Sequence, residues 1–448
     1  MKYISLLFFL IFLFSCSKEK REINVKKNQN SAKVLFNQYK SNQDKEFKGN
    51  NDLILDKSFN ILKSQKNDLS TRNLLSDIVV EFYKKNNNEK LNKASKLLLK
   101  LSLESNDSIN LGMAYRSRGN FYYKTQKLDS SYLFYIKAEK IYDKLNDDKN
   151  YANILMNKGI IQYSIGDYLG AELSLNKAQT IFKKENNFNK IYGSLDQLGL
   201  VATELKEYDK ALFYFNKALD AISNLPIKED RIYFTTVCKN NIGYLYLKSQ
   251  EYKKAINYFE EALENKLIAN EDPILYSNLI DNLAYCRMQL NDDNQLPKLF
   301  FDALEVRKKL DNYTVVVGSY IHLSEYYQKK NDNLSAIRYS NEALRVARES
   351  KIPINIILAL KQASVVDDKN SVKYSSDYVR ISDSLQIEER NSKDRFARIQ
   401  LETDELRQEN FNLLEKNRNI LSYFFGTVFF IGVLFLMKNQ RSRARLLA

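Results

Sequence analysis

The residue types that most often carry out chemistry are scarce in this chain. It contains one His, His322, and three Cys in 448 residues. A catalytic or metal-binding His needs suitable partners, and the sequence offers no second His. The motifs GxGxxG, GxxxxGK[ST], GxSxG and HExxH do not occur, so phosphate-loop, α/β-hydrolase and zinc-protease sites lack their signatures. We therefore expect no catalytic site, no metal and no cofactor, and we interpret His322 as a structural or surface residue.

The composition indicates a long helical protein. Twelve Gly and four Pro are far below average usage, which is about 7% and 5%, and sandwiches, barrels and Rossmann-type folds need turn residues more often. Tyr (30) and Phe (25) are plentiful enough to fill a core. The formal net charge is +14, but the basic residues are scattered, so we expect solvated helix faces rather than a nucleic-acid partner.

The N-terminus has the features of an export signal. An uninterrupted apolar run covers residues 4–14, which is too short to span a bilayer but suits the core of a signal peptide. It closes on Leu13-Phe14-Ser15-Cys16, which resembles a bacterial lipobox. The resemblance implies a signal peptide over 1–16 and lipidation of Cys16, and an ordinary cleaved signal with a chance Cys is the alternative. We interpret the charged residues 17–31 as a flexible tether.

A second apolar segment, 420–437, contains no charged residue. At 1.5 Å per residue it would extend about 27 Å, just enough for the hydrocarbon core of a bilayer. Basic residues follow at once, and the positive-inside rule places such an end in the cytoplasm. The sequence therefore predicts a transmembrane helix over 420–437 and a basic cytoplasmic stub over 438–448. The location predicted is the inner membrane, single-pass, with an extracytoplasmic N-terminal region and the membrane as one partner.

Small residues recur in a fixed register through the middle of the chain. Four Gly lie in similar contexts, 40 to 44 residues apart, and each is followed at offsets of 12 and 19 by another small residue and at an offset of 16 by a large one. Small side chains let helix backbones approach closely, while large ones fill the holes between them. The predicted packing positions are Gly119, Gly159, Gly199, Gly243, Ala171, Ala211, Ala255, Ala138, Ala178, Ala218 and Ala262.

This register resembles that of the tetratricopeptide repeat (TPR) family. The family's Gly, Tyr, Ala, Phe and Ala positions are present, although its Trp slot holds other residues and the period exceeds the usual 34. The resemblance implies an all-α fold, a TPR-type α-solenoid of antiparallel helix pairs. We assign six repeats to 110–350 and degenerate repeats to 32–109 and 351–383. The extra residues are expected to lengthen both the helices and their connections.

In the TPR family, the second, fifth, ninth and twelfth positions of each first helix line a concave groove that binds proteins or peptides. Carried over to this chain, they give a groove of polar and aromatic residues, which suits adaptable contacts with such partners. Arg116 and Asn120, with Asn157 in the next repeat, resemble a clamp for a peptide's terminal carboxylate, and a solvated face is the alternative. The implied groove residues are Arg116, Asn120, Tyr123, Asn153, Asn157, Tyr163, Asp196, Asn240, Tyr244, Asp281, Tyr285 and Glu325.

Two cysteines, Cys238 and Cys286, fall on the first helices of neighbouring repeats. Such helices pack about 9 Å apart, and an offset of about seven residues along the axis adds about 10 Å. A disulfide needs Cα atoms within about 7 Å of each other. We therefore predict two free, buried thiols.

A seven-residue periodicity follows the repeats, over 384–419. Apolar residues, interrupted by polar ones, fall at the a and d positions of a coiled coil, and Asn at an a position commonly fixes register and strand number. We expect a parallel homodimer, and a single amphipathic helix packed on the last repeat is the alternative. The predicted seam consists of Leu385, Phe396, Ile399, Leu406, Asn410 and Leu413.

The order of these segments resembles that of bacterial membrane-bound TPR sensors, in which the array leads through a span to a cytoplasmic histidine kinase or helix-turn-helix domain. Neither output domain occurs in this sequence, so the chain is predicted not to be an enzyme. We expect a membrane-anchored extracytoplasmic protein that binds protein or peptide partners. It would act as the sensory part of a truncated or split signalling regulator, or as a stand-alone envelope scaffold without signalling.

Overall fold

The computed structural model describes residues 31–42, 48–310 and 313–446, and along the last helix it describes side chains only in part, the last at Gly432. Every regular element within these ranges is a helix. The helices are α1 (31–41), α2 (Lys48–Leu62), α3 (Leu69–Lys84), α4 (Asn88–Glu104), α5 (Ser108–Lys124), α6 (Leu128–Lys144), α7 (Asp148–Ser164), α8 (Tyr168–Lys184), α9 (Phe188–Glu204), α10 (Tyr208–Ser223), α11 (Lys228–Lys248), α12 (Tyr252–Ala262), α13 (Ile268–Glu271), α14 (Pro273–Gln289), α15 (Lys298–Lys309), α16 (Tyr313–Lys329), α17 (Asn333–Ser350), α18 (Pro353–Val366) and α19 (Ser371–Leu446).

The helices from α4 to α9 are all 17 residues long, and very short turns connect them. Each turn contains one residue with positive φ followed by the N-cap of the next helix. Asn106 has φ 51°, and the Asp107 carboxylate then accepts a hydrogen bond from the Asn110 backbone N–H at 3.1 Å. Asn tolerates the left-handed conformation, and Asp is a favoured N-cap. The residues beyond the usual TPR period therefore lengthen the helices, and the expectation of longer connections was wrong here.

The two helices of each pair pack closely where a Gly on the first faces a large side chain on the second. A Cβ built on Gly199 would lie 2.5 Å from the ring of Phe215, and one on Gly243 would lie 2.5 Å from the ring of Phe259. A Cβ on Gly159 would lie 2.7 Å from Leu175. No side chain fits in these gaps, so helix separation is set by the Gly. Gly119 makes the same approach to Tyr135, and the alanines at the remaining packing positions, Ala138, Ala171, Ala178, Ala211, Ala218, Ala255 and Ala262, are all buried.

The pairs stack into a continuous array. First helices contact the first helices of neighbouring pairs, α7 against α9, α9 against α11, α11 against α14 and α14 against α16, while each second helix packs between two first helices. The fold of this region is an all-α, TPR-like solenoid, as the sequence predicted. Its pairs run from α3–α4 to α16–α17, and α1–α2 and α18 lie at the two ends.

The array loses its regularity after α10. Helix α11 has 21 residues, whereas α12 has only 11 and is followed by the short α13. Pro273 then begins α14, a position where the missing N–H of proline costs nothing. The four additional residues of α11 accommodate the wider spacing that separates Gly199 from Gly243 in the sequence.

The prediction of a transmembrane helix over 420–437 is corrected by the structure. Among the described residues, no helix has both the length and the apolar character that a membrane crossing requires. The predicted single-pass location in the inner membrane was therefore wrong as well.

Contacts divide the chain into two units, Met1–Lys393 and Asp394–Ala448, with α19 extending through the boundary. Along α19, Leu385 and Ile399 are half-buried, Phe396 is buried and Leu413 is exposed. The side chains of Leu406 and Asn410, those of the basic segment 438–448, and the whole of the signal region with Cys16 lie outside the described residues.

Candidate functional site

The groove residues expected from the TPR resemblance all lie on first helices. We call the surface that they occupy the inner face. Helix α5 carries Arg116, Asn120 and Tyr123; α7 carries Asn153, Asn157 and Tyr163; α9 carries Asp196; α11 carries Asn240 and Tyr244; α14 carries Asp281 and Tyr285; and α16 carries Glu325.

Some inner-face residues form hydrogen bonds between neighbouring repeats. The Asn241 side-chain amide donates to Asp196 Oδ1 at 2.8 Å, and the Tyr244 hydroxyl donates to Glu204 Oε1 at 3.1 Å. Burial raises the pKa of Asp196 to about 6, although the bond from Asn241 opposes this. These contacts fix the relative rotation of adjacent first helices.

The α5 end of the inner face is basic. Arg116 Nη1 donates to the Asn150 side-chain oxygen at 3.2 Å, and burial together with the nearby Arg116 lowers the pKa of Lys190. Asn120 is buried, and its side-chain oxygen accepts a hydrogen bond from the Tyr135 hydroxyl at 2.6 Å. Asn120 is thus buried inside the helix pair, whereas Arg116 and Lys190 are only half-buried and are the more accessible donors at this end.

Four of the first helices, α5, α7, α11 and α14, each carry a tyrosine on the inner face. Tyr123, Tyr163, Tyr244 and Tyr285 are all half-buried, and burial is the main cause that raises the pKa of each hydroxyl. They therefore stay neutral in the physiological range and present a ring together with a hydroxyl group, which suits contacts with peptides.

A buried charge cluster occupies the α14–α16 part of the inner face. Asp281 Oδ2 lies 3.0 Å from Arg307 Nη1 and 2.9 Å from His322 Nδ1. The side chains are 3% exposed for Asp281, 5% for Arg307 and 25% for His322. Burial alone would raise the pKa of Asp281, but His322 and Arg307 hold it below its usual value. Burial opposes the charge on His322, yet Asp281 raises the pKa of the imidazole above its ordinary value.

Ten buried side-chain atoms lack a hydrogen-bond partner among the described residues, and three of them are oxygens on successive first helices. They are Asn240 Oδ1 on α11, Asp281 Oδ1 on α14 and Glu325 Oε2 on α16. Leaving a buried acceptor unpaired costs about 1–3 kcal/mol, more for a charged group, and such groups in a native protein call for an explanation. All three are acceptors, so the missing partner is a hydrogen-bond donor.

Six residues that contact this surface were not among the predicted groove residues, namely Asn150, Lys190, Glu204, Asn241, Arg307 and His322. His322, which was interpreted as a structural or surface residue, contacts both Asp281 and the ring of Tyr285, at 4.8 Å between ring centroids. A signal did exist in the sequence. Asp281 and His322 occupy consecutive positions of the repeat register in neighbouring first helices, and Asp196 and Asn241 do the same.

The described part of the chain contains no cluster of three or more His, Cys, Asp or Glu arranged to hold a metal ion. Cys238 and Cys286 are free and fully buried. Burial raises the pKa of both thiols, to about 12 for Cys286, so neither is a reactive thiolate.

Comparison with known proteins agrees with the helical-repeat architecture. Residues 192–267 match the model of the tetratricopeptide repeat family. None of the curated protein sequences matches the chain.

Several solved structures have a similar fold. The apo form of the quorum sensor NprR from B. thuringiensis is 14% identical, with a TM-score of 0.60 over 82% of this chain and 99% of that one. The Rap conjugation gene regulator of the plasmid pLS20, solved with the Phr* peptide, is 15% identical, with a TM-score of 0.53 over 80% and 96%. A STAND protein with a TPR sensor from Pyrococcus horikoshii is 18% identical, with a TM-score of 0.56 over 80% and 54%. At these identities the likeness establishes the fold, a TPR-type helical repeat array.

Proposed function

We propose that this protein binds a peptide, or a peptide segment of a partner protein, along its inner face, and that it acts as the sensory part of a regulator. The observation that carries the proposal is the row of buried acceptors without donors on α11, α14 and α16. An extended peptide backbone presents N–H donors at regular intervals and can supply donors to several helices at once. The tyrosines would cover the peptide's side chains.

The charges along the inner face favour a peptide with opposite charges at its two ends. Arg116 and Lys190 suit a carboxylate at the α5 end, whereas Asp281 and Glu325 suit a donor or a cation at the α16 end. Structures of similar fold support the proposal, because NprR was solved in complex with its cognate peptide NprX and the Rap regulator with the Phr* peptide.

The test is a selection of linear random peptides on the immobilised full chain, followed by affinity measurements on the enriched peptides. We expect Asn240→Ala and Arg116→Ala each to weaken binding about tenfold, the loss expected for one or two hydrogen bonds. Asn216→Ala is the matched control, because Asn216 is exposed on the second helix α10. Peptides that bind all variants equally, or no enrichment at all, would contradict the proposal.

Regulation would also require a second copy of the chain, joined along α19 as the heptad pattern predicts. Leu413 occupies a seam position and is 55% exposed, as an unpaired member of an apolar seam would be. A Leu413→Cys variant should therefore form a disulfide-linked dimer under mild oxidation, while a variant at the exposed Asn412 should do so much less. An exclusively monomeric Leu413→Cys product would remove the dimer from the proposal.

The same crosslink separates a sensor from a scaffold. If a selected peptide changes the rate of disulfide formation at Leu413→Cys, the array communicates with α19 and the protein is a sensor. If the peptide binds with no change in this rate, the protein is an adaptor that gathers partners without signalling.

A further inference from the structure

The α14–α16 part of the inner face has the composition of a site for a positive charge. We propose that Asp281 Oδ1 and Glu325 Oε2 bind a cationic group of the partner, either a peptide amino terminus or a Lys or Arg side chain. This inference rests on the proposed peptide binding and names the chemistry that is recognised at one end of the groove. It starts from two carboxylate oxygens that are buried and unpartnered.

The number of charges in the cluster agrees with one bound cation. Arg307 compensates Asp281 through its contact at 3.0 Å, and it is also held by Ser319 Oγ at 2.7 Å and Asn278 Oδ1 at 2.9 Å. Glu325 has no comparable partner, and burial raises its pKa, although His322, Lys361 and Lys329 oppose the shift. With His322 neutral, Glu325 is the carboxylate of the cluster that forms no ion pair among the described residues, and Lys361 and Lys329 act on it only through the electrostatic field.

The surroundings of the two oxygens suit an ammonium or guanidinium group. Asp281 keeps Oδ2 for Arg307 and His322, which leaves Oδ1 to accept a further hydrogen bond. Glu325 lies close enough to Tyr285 to raise the pKa of that hydroxyl, after the larger effect of burial. Tyr285 thus adds an aromatic ring beside the carboxylates, and cations are attracted to such ring faces.

Protonation of His322 would compete with the bound cation. Asp281 and Tyr285 face the imidazole from α14, Arg307 from α15, and Glu325 with Lys329 from α16, while Lys361 lies on α18. The two carboxylates favour the imidazolium, so His322 titrates above its ordinary pKa. A second cation at the carboxylates disfavours the imidazolium and lowers this pKa. By linkage, the cation binds more tightly as the pH rises through the pKa of His322.

Because His322 is the only His in the sequence, its imidazole gives a single NMR signal that reports on the site. We would titrate the full chain, labelled with [13C]histidine, with and without the peptide Ala-Ala-Ala-NH₂. Its N-acetylated form, which lacks the positive charge, is the control. Below about pH 7 the free amino terminus stays protonated. We expect the free amine to lower the pKa of His322 and the acetylated peptide to leave it unchanged.

A variant tests whether Glu325 is the recognising group. Glu325→Gln keeps the size of the side chain and should weaken binding of Ala-Ala-Ala-NH₂ about tenfold. The matched control is Glu305→Gln, since the Glu305 side chain is 69% exposed on α15, and it should leave binding unchanged. If the two peptides shift the pKa of His322 equally, if neither shifts it, or if Glu325→Gln binds as the parent does, the cation site is refuted.

Two further probes identify the source of the cation. Acetyl-Ala-Lys-Ala-NH₂ and acetyl-Ala-Arg-Ala-NH₂ place the charge on a side chain, so a stronger effect than that of Ala-Ala-Ala-NH₂ assigns the site to Lys or Arg. Failure here is distinguishable from failure of the proposed function. Peptides selected on the full chain that depend on Asn240 and Arg116, but not on Glu325, would refute the cation site alone.

Discussion

The interior of the helix pairs and the inner face differ in their side chains. The interior is closely packed with apolar residues, whereas the inner face carries polar groups that are only partly paired. Inside the pairs, apolar packing is close: a Cβ on Gly199 would lie 2.5 Å from the ring of Phe215. On the inner face, Asn240, Asp281 and Glu325 each keep a buried oxygen without a partner. Close apolar packing within each pair therefore supports the array, whereas the surface where first helices meet keeps the unpaired acceptors on which the proposed peptide binding rests.

Arg307 lies on a second helix and contacts Asp281 of the inner face. Replacing Arg307 should cause the largest loss in the free energy of unfolding. Arg307→Ala leaves Asp281 buried without its cation, and breaking such a pair costs about 3–5 kcal/mol. Urea unfolding followed by far-UV circular dichroism measures this loss. The control is Arg345→Ala, because Arg345 pairs with Glu342 and Glu349 on an exposed surface and should cost less than about 1 kcal/mol. Equal losses from the two variants would show that the α14–α16 cluster has no role in stability.

The close apolar packing inside a pair is tested by adding one methyl group. Gly199→Ala forces the Cβ into the ring of Phe215, and overpacking of this kind costs about 1–3 kcal/mol. Gly318→Ala is the control within the same array, since nothing lies within 4 Å of a Cβ at Gly318, and Ala is the better helix former by about 0.5–1 kcal/mol. Opposite signs of the two changes in unfolding free energy are expected. A stabilising Gly199→Ala would contradict close packing inside the pair.

The smallest effect concerns Asp196, whose pKa of about 6 lies above the ordinary value of 3.8 because of burial. An acid whose folded pKa is raised adds stability at low pH, and this contribution is lost as the pH rises from about 4 through about 6. Asp196→Asn keeps an acceptor for Asn241 and removes the charge. We expect it to be more stable than the parent at pH 7, where the Asp196 carboxylate is ionised, and nearly equal to it at pH 4. The same difference at both pH values would show that the carboxylate is not the cause.

The packing register can be predicted from the sequence because it depends on local spacing. Gly119, Gly159, Gly199 and Gly243 each face the large residue expected from the register, since that residue lies one short turn away in the chain. The tight turns escaped prediction, although Asn106, Asn146 and Asn186, all with positive φ, recur with the same period as the repeats. A register built on Gly and Ala alone contains no information about the residues that end helices.

The predicted span shows where pattern reasoning fails. Hydropathy over 420–437 indicated a transmembrane helix, whereas no helix among the described residues meets the requirements of a membrane crossing. His322 shows a second limit, because the lack of another His in the sequence does not deprive it of a partner. Its partner is a carboxylate, Asp281, one repeat away.

The sequence by itself determined that the chain is helical, that its helices pair, and which small residues bring the two backbones together. Such information is repeated every 40 to 44 residues, so each repeat corroborates the others. Only the tertiary structure decided which polar side chains meet between repeats and which keep an unpaired oxygen, as in the contact of Asp281 with His322. The physical reason is that those contacts depend on the rotation of one helix against another, and a change of a few ångströms makes or breaks a hydrogen bond.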